Sequence, residues 1–364
     1  YLFLKLDDGV GVDIAGNEIT FPTGSRLSID EVLDTVRPTV TSGTLHLSDG
    51  VLSLILSETI DITPSFYVAL AHLRIVNSTN TTSILDPFST VDGIIMYGGR
   101  VSSLDDSVIV NITVSEVQRA QLIAMSATPG GDGITTSLTV LPGAFRDLSS
   151  NLNVLHEGVS LLEIPDVVTP TIISASMNYG TNVLLLNTTE TIDCTPASLV
   201  DATKLYFSDD GSNDRLIRLS FAQVVQVDGT LFTLILDEAT RVQALSKSSV
   251  VGGDGAPLTV DADVGAAQDV AGNPSDSVIS LILEEIADSV TPSIVSIRLN
   301  LSSSVLTIRT TETIRLNQNA PTTTTSLKMS YIYISNITLV DTTTHGSTLN
   351  LHDKAVVIGD RTYY

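Results

Sequence analysis

The sequence contains no tryptophan, a single cysteine, few aromatic residues at 5%, and only 18 Lys plus Arg against 41 Asp plus Glu. Each shortage excludes something. Cys194 has no partner for a disulfide within the chain. The formal net charge of −23 repels a phosphate backbone, which argues against nucleic acid as a partner. The scarcity of aromatics disfavours large ligand pockets. No apolar run approaches the roughly 20 residues that cross a bilayer, so membrane insertion is not expected. The first residues also lack the basic start and small-residue cleavage site of a signal peptide, so a soluble mature chain, or an excerpt of one, is expected. What is abundant is apolar and hydroxyl-bearing. With 43% hydrophobic residues over 364 positions the chain can bury two or three cores, and Ser plus Thr fill 85 positions, a bias toward strands.

The sequence repeats itself. Asp34-Thr-Val-Arg-Pro38, Asp166-Val-Val-Thr-Pro170 and Asp288-Ser-Val-Thr-Pro292 share one pattern. Thirteen residues after each proline stand Val51, Val183 and Val305, followed by Leu52, Leu184 and Leu306. Glu58-Thr-Ile60, Glu190-Thr-Ile192 and Glu312-Thr-Ile314 follow without a gap. Matches this dense mean true repetition. Later in the unit, Gly130-Gly-Asp-Gly133 and Gly252-Gly-Asp-Gly255 precede Asp-x-x-x-Asn motifs ending at Asn151 and Asn273, and a further copy, Asp13-Ile-Ala-Gly-Asn17, stands near the start. Two whole units, 37–166 and 169–288, are therefore flanked by complementary pieces: 1–34 carries the late part of a unit and 291–364 the early part.

Apolar residues alternate through Val51–Leu56, Val108–Val114, Leu231–Leu236 and Val278–Leu283, with Gly, Asp, Asn and Ser between the runs. An all-β fold of tandem immunoglobulin-like sandwiches is expected. Short helical turns are expected after Thr63-Pro64 and Thr195-Pro196, with proline as the first helical residue, and over about Glu116–Met125 and Glu238–Leu245. Cys194 takes the place held by Ile62 and Leu316 in the other copies, which points to a buried, inert thiol.

With its Pro-Thr-Ile or Pro-Ser-Ile opening, its Glu-Thr-Ile step and its closing Asp-Val-Ala-Gly-Asn, the unit resembles the bacterial-type immunoglobulin-like domains repeated in large cell-surface and fibre proteins. It is similar as well to units of extracellular glycoprotein filaments. The resemblance implies a spacer or polymer role outside the cell or on its surface. One copy departs from it, reading Asp147-Leu-Ser-Ser-Asn151, so a differently shaped turn is expected there.

Chemistry is sparse. The five histidines do not recur at equivalent positions and form no metal-ligand spacing, and no nucleophile elbow or phosphate loop is present, so no enzyme activity and no cofactor are expected. Calcium has one local candidate, the oxygen-rich segment holding Asp209, Asp210, Asn213 and Asp214, beside the reading of an ordinary turn. The recurring Asp34, Asp166 and Asp288 could hold a cation at each junction or cap a turn. Six N-glycosylation sequons begin at Asn77, Asn80, Asn111, Asn187, Asn300 and Asn336. Alternation turns Asn111, Asn187 and Asn300 outward, where a sugar fits. Thr322, Thr323, Thr324 and Thr325 are candidates for O-linked sugars or simply a polar loop.

A half sandwich exposes an apolar face and an unpaired strand edge. Residues 1–34 of one subunit are therefore expected to complete 291–364 of the next, a head-to-tail contact that does not close and so builds a filament. Spliced end to end, the two pieces fall about seven residues short of a full unit. The alternative is an excerpt from a longer adhesin or stalk of tandem repeats, its junctions stiffened by calcium. A third reading, an accessory module of a carbohydrate-active enzyme, needs a catalytic domain outside this sequence.

Overall fold

A computed structural model describes residues 2–5, 9–20, 26–77, 93–209, 215–314, 337–340 and 348–350. The chain divides into two compact units, 1–166 and 167–364. In the first unit the strands are β1 (Phe3–Leu4), β2 (Leu27–Ser28), β3 (Val40–His46), β4 (Val51–Ile60), β5 (Leu73–Asn77), β6 (Ile94–Ile95), β7 (Arg100–Val101), β8 (Ser107–Thr113), β9 (Thr136–Val140) and β10 (His156–Ile164). The second holds β11 (Ile172–Asn178), β12 (Val183–Ile192), β13 (Leu205–Asp209), β14 (Arg215–Arg218), β15 (Gln223–Val224), β16 (Gly229–Ile235), β17 (Leu258–Ala262), β18 (Val278–Ile286), β19 (Ile294–Asn300), β20 (Val305–Thr310), β21 (Thr338–Val340) and β22 (Thr348–Asn350).

Each unit contains one immunoglobulin-like β-sandwich. Its strand order is β6-β5-β9-β10-β3-β4-β8-β7 in the first unit and β14-β13-β17-β18-β11-β12-β16-β15 in the second. One strand stitches the two layers together. The first part of β10 pairs antiparallel with β9, and Leu161–Ile164 then pair parallel with β3; β18 does the same with β17 and β11. Alternation explains the cores. Leu52, Leu54, Val110 and Ile112 point inward in the first sandwich, as do Leu184, Leu186, Phe232 and Leu234 in the second, and all are buried.

Helices α1 (Glu116–Ala124) and α2 (Glu238–Ser246) begin at side-chain caps. Ser115 and Gln118 form a reciprocal capping box, and Asp237 accepts from the Thr240 N–H. The Gly-Gly-Asp-Gly motif follows each helix for a steric reason. A Cβ on Gly131 would lie 2.1 Å from the Ser126 carbonyl oxygen, and one on Gly253 2.0 Å from that of Ser248. The first and last glycines of each motif take positive φ.

Two expectations need correction. Pro64 and Pro196 are the extended cap residues before the 3-10 turns Ser65–Tyr67 and Ala197–Leu199, not their first helical residues. The Asp147–Asn151 turn has the same form as its relatives, because Ser150 accepts the left-handed conformation (φ 70°) that Gly16 (88°) and Gly272 (86°) adopt.

Candidate functional site

Among the described residues of 1–34, the strand pairing and the Asp-x-x-x-Asn turn have the form of the late part of each complete sandwich. The pairs Phe3↔Ser28 and Leu4↔Leu27 of β1–β2 stand where Ser137↔Ser160 and Leu138↔Val159 join β9 to β10, and where Thr259↔Ile282 and Val260↔Leu281 join β17 to β18. Glu31 accepts from the Leu2 N–H at 2.8 Å as Glu163 accepts from that of Thr136 at 2.7 Å. In all three Asp-x-x-x-Asn turns the aspartate accepts from the asparagine backbone N–H at 2.8 Å and from its side-chain amide.

Residues 291–314 reproduce the early part. Strands β19 and β20 pair from Ile294↔Thr310 to Asn300↔Val305, with a register shift after Ile294 that matches the shift after Ile172 in β11–β12 and after Val40 in β3–β4. Burial differs sharply. Ile294, Ile297 and Leu299 are 60%, 60% and 44% exposed, whereas Ile172, Ala175 and Met177 at the same repeat positions are 2%, 5% and 0% exposed. Leu27 and Ile29 are likewise 46% and 39% exposed, against 7% and 5% for Val159 and Leu161. Two exposed apolar faces therefore carry residues that the complete sandwiches hide.

An arginine closes the end of each complete sandwich. The buried Arg119 places Nη1 2.6 Å from Asp166 and 3.0 Å from the Leu47 carbonyl, while Nε and Nη2 reach Glu116. Arg241 repeats this with Asp288, the Tyr179 carbonyl and Glu238. Hydrogen bonds to Glu238 hold the Arg241 guanidinium above its ordinary pKa against the opposing pull of burial. Glu238 also accepts from the Thr313 N–H at 2.8 Å. Of the recurring junction aspartates, Asp166 and Asp288 are thus ion-paired, and Asp34 and Asp288 also cap turns by accepting from Val36 and Val290 N–H.

Within the first unit Asp34, Glu58 and Asp147 each present a carboxylate oxygen, all within 4.8 Å of one another. Such a set repels itself until a proton or a hard cation intervenes. Burial, with Asp147 and Asp34 adding to it, raises the Glu58 pKa above 4.5. A raised carboxyl pKa gives stability that is complete below the unfolded value and lost as pH rises through the folded one. Glu58→Gln should therefore melt higher than wild type at pH 7 with a chelator present, and the two curves should converge below about pH 4.

The glycosylation candidates are scattered. Asn111 in β8 and Asn187 in β12 are half-buried beside inward-facing neighbours, and Asn300 at the end of β19 is exposed. Its side-chain oxygen, not its amide nitrogen, accepts from Ser302 and Ser303. Asn77 differs: its amide, the group a sugar would modify, donates to Asp132 at 2.8 Å. Asn80, Asn336 and Thr322–Thr325 lie outside the described residues, as do Asp210, Asn213 and Asp214, while the backbone of Asp209 ends β13. Cys194 is fully buried, and burial, then Asp228 and Asp193, push its thiol up to about 12. At neutral pH it is not a nucleophile.

No helix among the described residues is long and apolar enough to cross a membrane. No protein-family model matches the sequence, and no curated protein matches it significantly. Solved structures give weak likenesses. E. coli alpha-2-macroglobulin in its native conformation aligns at 9% identity and a TM-score of 0.23, over 49% of this chain and 9% of that one, so the chain matches about a tenth of that protein's length. The FN1–FN3 domains of chicken CNTN1 align at 8% identity and 0.20, over 72% of this chain and 70% of that one. A Dscam structure aligns at 10% identity and 0.15, over 72% and 55%.

Proposed function

We propose that this chain is a non-enzymatic structural subunit of an extracellular, glycosylated filament, joined head to tail when β1–β2 of one copy cover β19–β20 of the next. One observation carries the reading: Ile294 and Leu299 are exposed where both complete sandwiches bury a side chain (Val40 and Leu45, Ile172 and Met177), and Ile297 is exposed where the second buries Ala175. A hairpin with the register of the strands that do the covering lies in 1–34. Joining the two removes apolar surface from water and pairs a free strand edge, so the contact has the character of a domain core rather than of a surface encounter. The net charge of −23, with sugars on Asn111, Asn187 and Asn300, keeps neighbouring filaments apart.

The test is the native material. Denatured and stripped of sugars, it should run near the 38.5 kDa of the chain, and subunits lacking residues 1–34 should form no filaments. A product several times larger would make the chain part of a covalent stalk or adhesin. Normal filaments from the truncated subunit would refute strand donation.

A further inference from the structure

From the registers of the complete sandwiches we infer that a cross-strand ion pair between Asp30 of one copy and Arg298 of the next sets the alignment of the joint; this rests on the head-to-tail reading above. In the first sandwich Leu161, Leu162, Glu163 and Ile164 of β10 lie opposite Gly43, Thr44, Leu45 and His46 of β3. In the second, Leu283, Glu284, Glu285 and Ile286 lie opposite Ala175, Ser176, Met177 and Asn178. The repeat offsets carry both sets onto the same partners in the split copy: Ile29 opposite Ile297, Asp30 opposite Arg298, Glu31 opposite Leu299, and Val32 opposite Asn300.

The second pair of this register bears opposite charges only in the split copy. The corresponding pairs in the complete sandwiches are Leu162 with Thr44 and Glu284 with Ser176. Arg298 is therefore a rare base, one of 18 Lys plus Arg in the whole chain, standing where the other copies carry a small hydroxyl. The difference has a physical rationale. Inside a complete sandwich the chain itself delivers β10 to β3, and a slipped register is resisted by the connections on either side. Two separate copies have no such connection. A slip by one residue would turn Ile29 outward and part Asp30 from Arg298, and a charge pair on the outer face penalises that slip and rejects other acidic edges. Glu31 assists from the donor side, since its carboxylate already bonds the Leu2 N–H and holds β1 against β2 before docking.

Paired strands place directly opposite side chains on the same face, where opposite charges attract and like charges repel. Asp30→Arg brings two bases together in every joint, and Arg298→Asp brings two acids together. Each variant alone should raise the critical concentration for filament growth about tenfold. Both positions are exposed in the subunit, so its melting should not change. An equimolar mixture of the two variants is the decisive arm. In an alternating copolymer every joint holds either the native pair or the same pair with its charges exchanged, the introduced base facing the introduced acid, so growth should return to within about threefold of wild type. Wild-type growth by either single variant alone would overturn the inference, as would a mixture no better than its components. Either result leaves the filament reading standing as long as removal of residues 1–34 still abolishes growth. Filaments that survive that truncation defeat the filament reading and this inference with it.

Discussion

Replacing Arg119 by Met should cost the first complete sandwich about 3–5 kcal/mol, because the substitution leaves Asp166 buried without its ion-pair partner. The Asp166 side chain is 0% exposed and that of Arg119 5%, so water does not take over the lost contact. The Leu47 carbonyl and the Glu116 carboxylate lose donors at the same stroke. For a sandwich of this size the midpoint of thermal unfolding should fall by about 10 °C or more, which differential scanning calorimetry would resolve. Adding Asp166→Asn should recover part of the loss, since most of the penalty is the stranded charge rather than the missing bond. A midpoint within about 2 °C of wild type would mean that this ion pair does not hold the sandwich end closed.

Ile297→Asp should abolish filament growth with no change in the melting of either complete sandwich. A carboxylate delivered into a joint that buries its neighbours costs several kcal/mol, more than a hundredfold in joint affinity. The nearby Val295 supplies the control. It is 58% exposed, and Ile173 at its position in the second sandwich is 50% exposed, so this side chain faces away from the core even when the sandwich is whole. Val295→Asp should therefore assemble within about twofold of wild type. Equal loss from both variants would point to nonspecific damage to β19 and away from a covered face. Sedimentation of polymer from monomer, read over a range of subunit concentrations, distinguishes the two.

Much of this could be read from the sequence because the repeat is aligned by its own prolines. Once Pro38, Pro170 and Pro292 are superimposed, the inward residues of β4, β12 and β20 follow from alternation alone. The arginine closures were harder to see. Asp166 and Asp288 stood out as recurring acids, but their partners lie 47 residues earlier in each case, and only the three-dimensional return of α1 and α2 to the sandwich end brings them together. A signal was present, since Glu116-x-x-Arg119 and Glu238-x-x-Arg241 recur at one repeat distance. The convergence of Asp34, Glu58 and Asp147 was hidden for the same reason: its members come from a linker, a strand end and a distant turn. The form of the Asp147–Asn151 turn escaped because composition implied a need for glycine that Ser150 meets by adopting positive φ itself. The two layers of each sandwich could be expected from strand number, but the passage of β10 and β18 from one layer to the other depends on where a parallel pairing begins, which alternation does not encode.

That parallel pairing sets how each complete sandwich would answer a pull on its two ends. In each complete sandwich the chain enters at the leading end of β3 or β11 and leaves at the trailing end of β10 or β18, strands that lie side by side and point the same way. Tension applied to the two ends draws these neighbours in opposite senses along their length. The rungs between them are loaded together in shear instead of being peeled open one at a time, so each bead resists extension as a lap joint does.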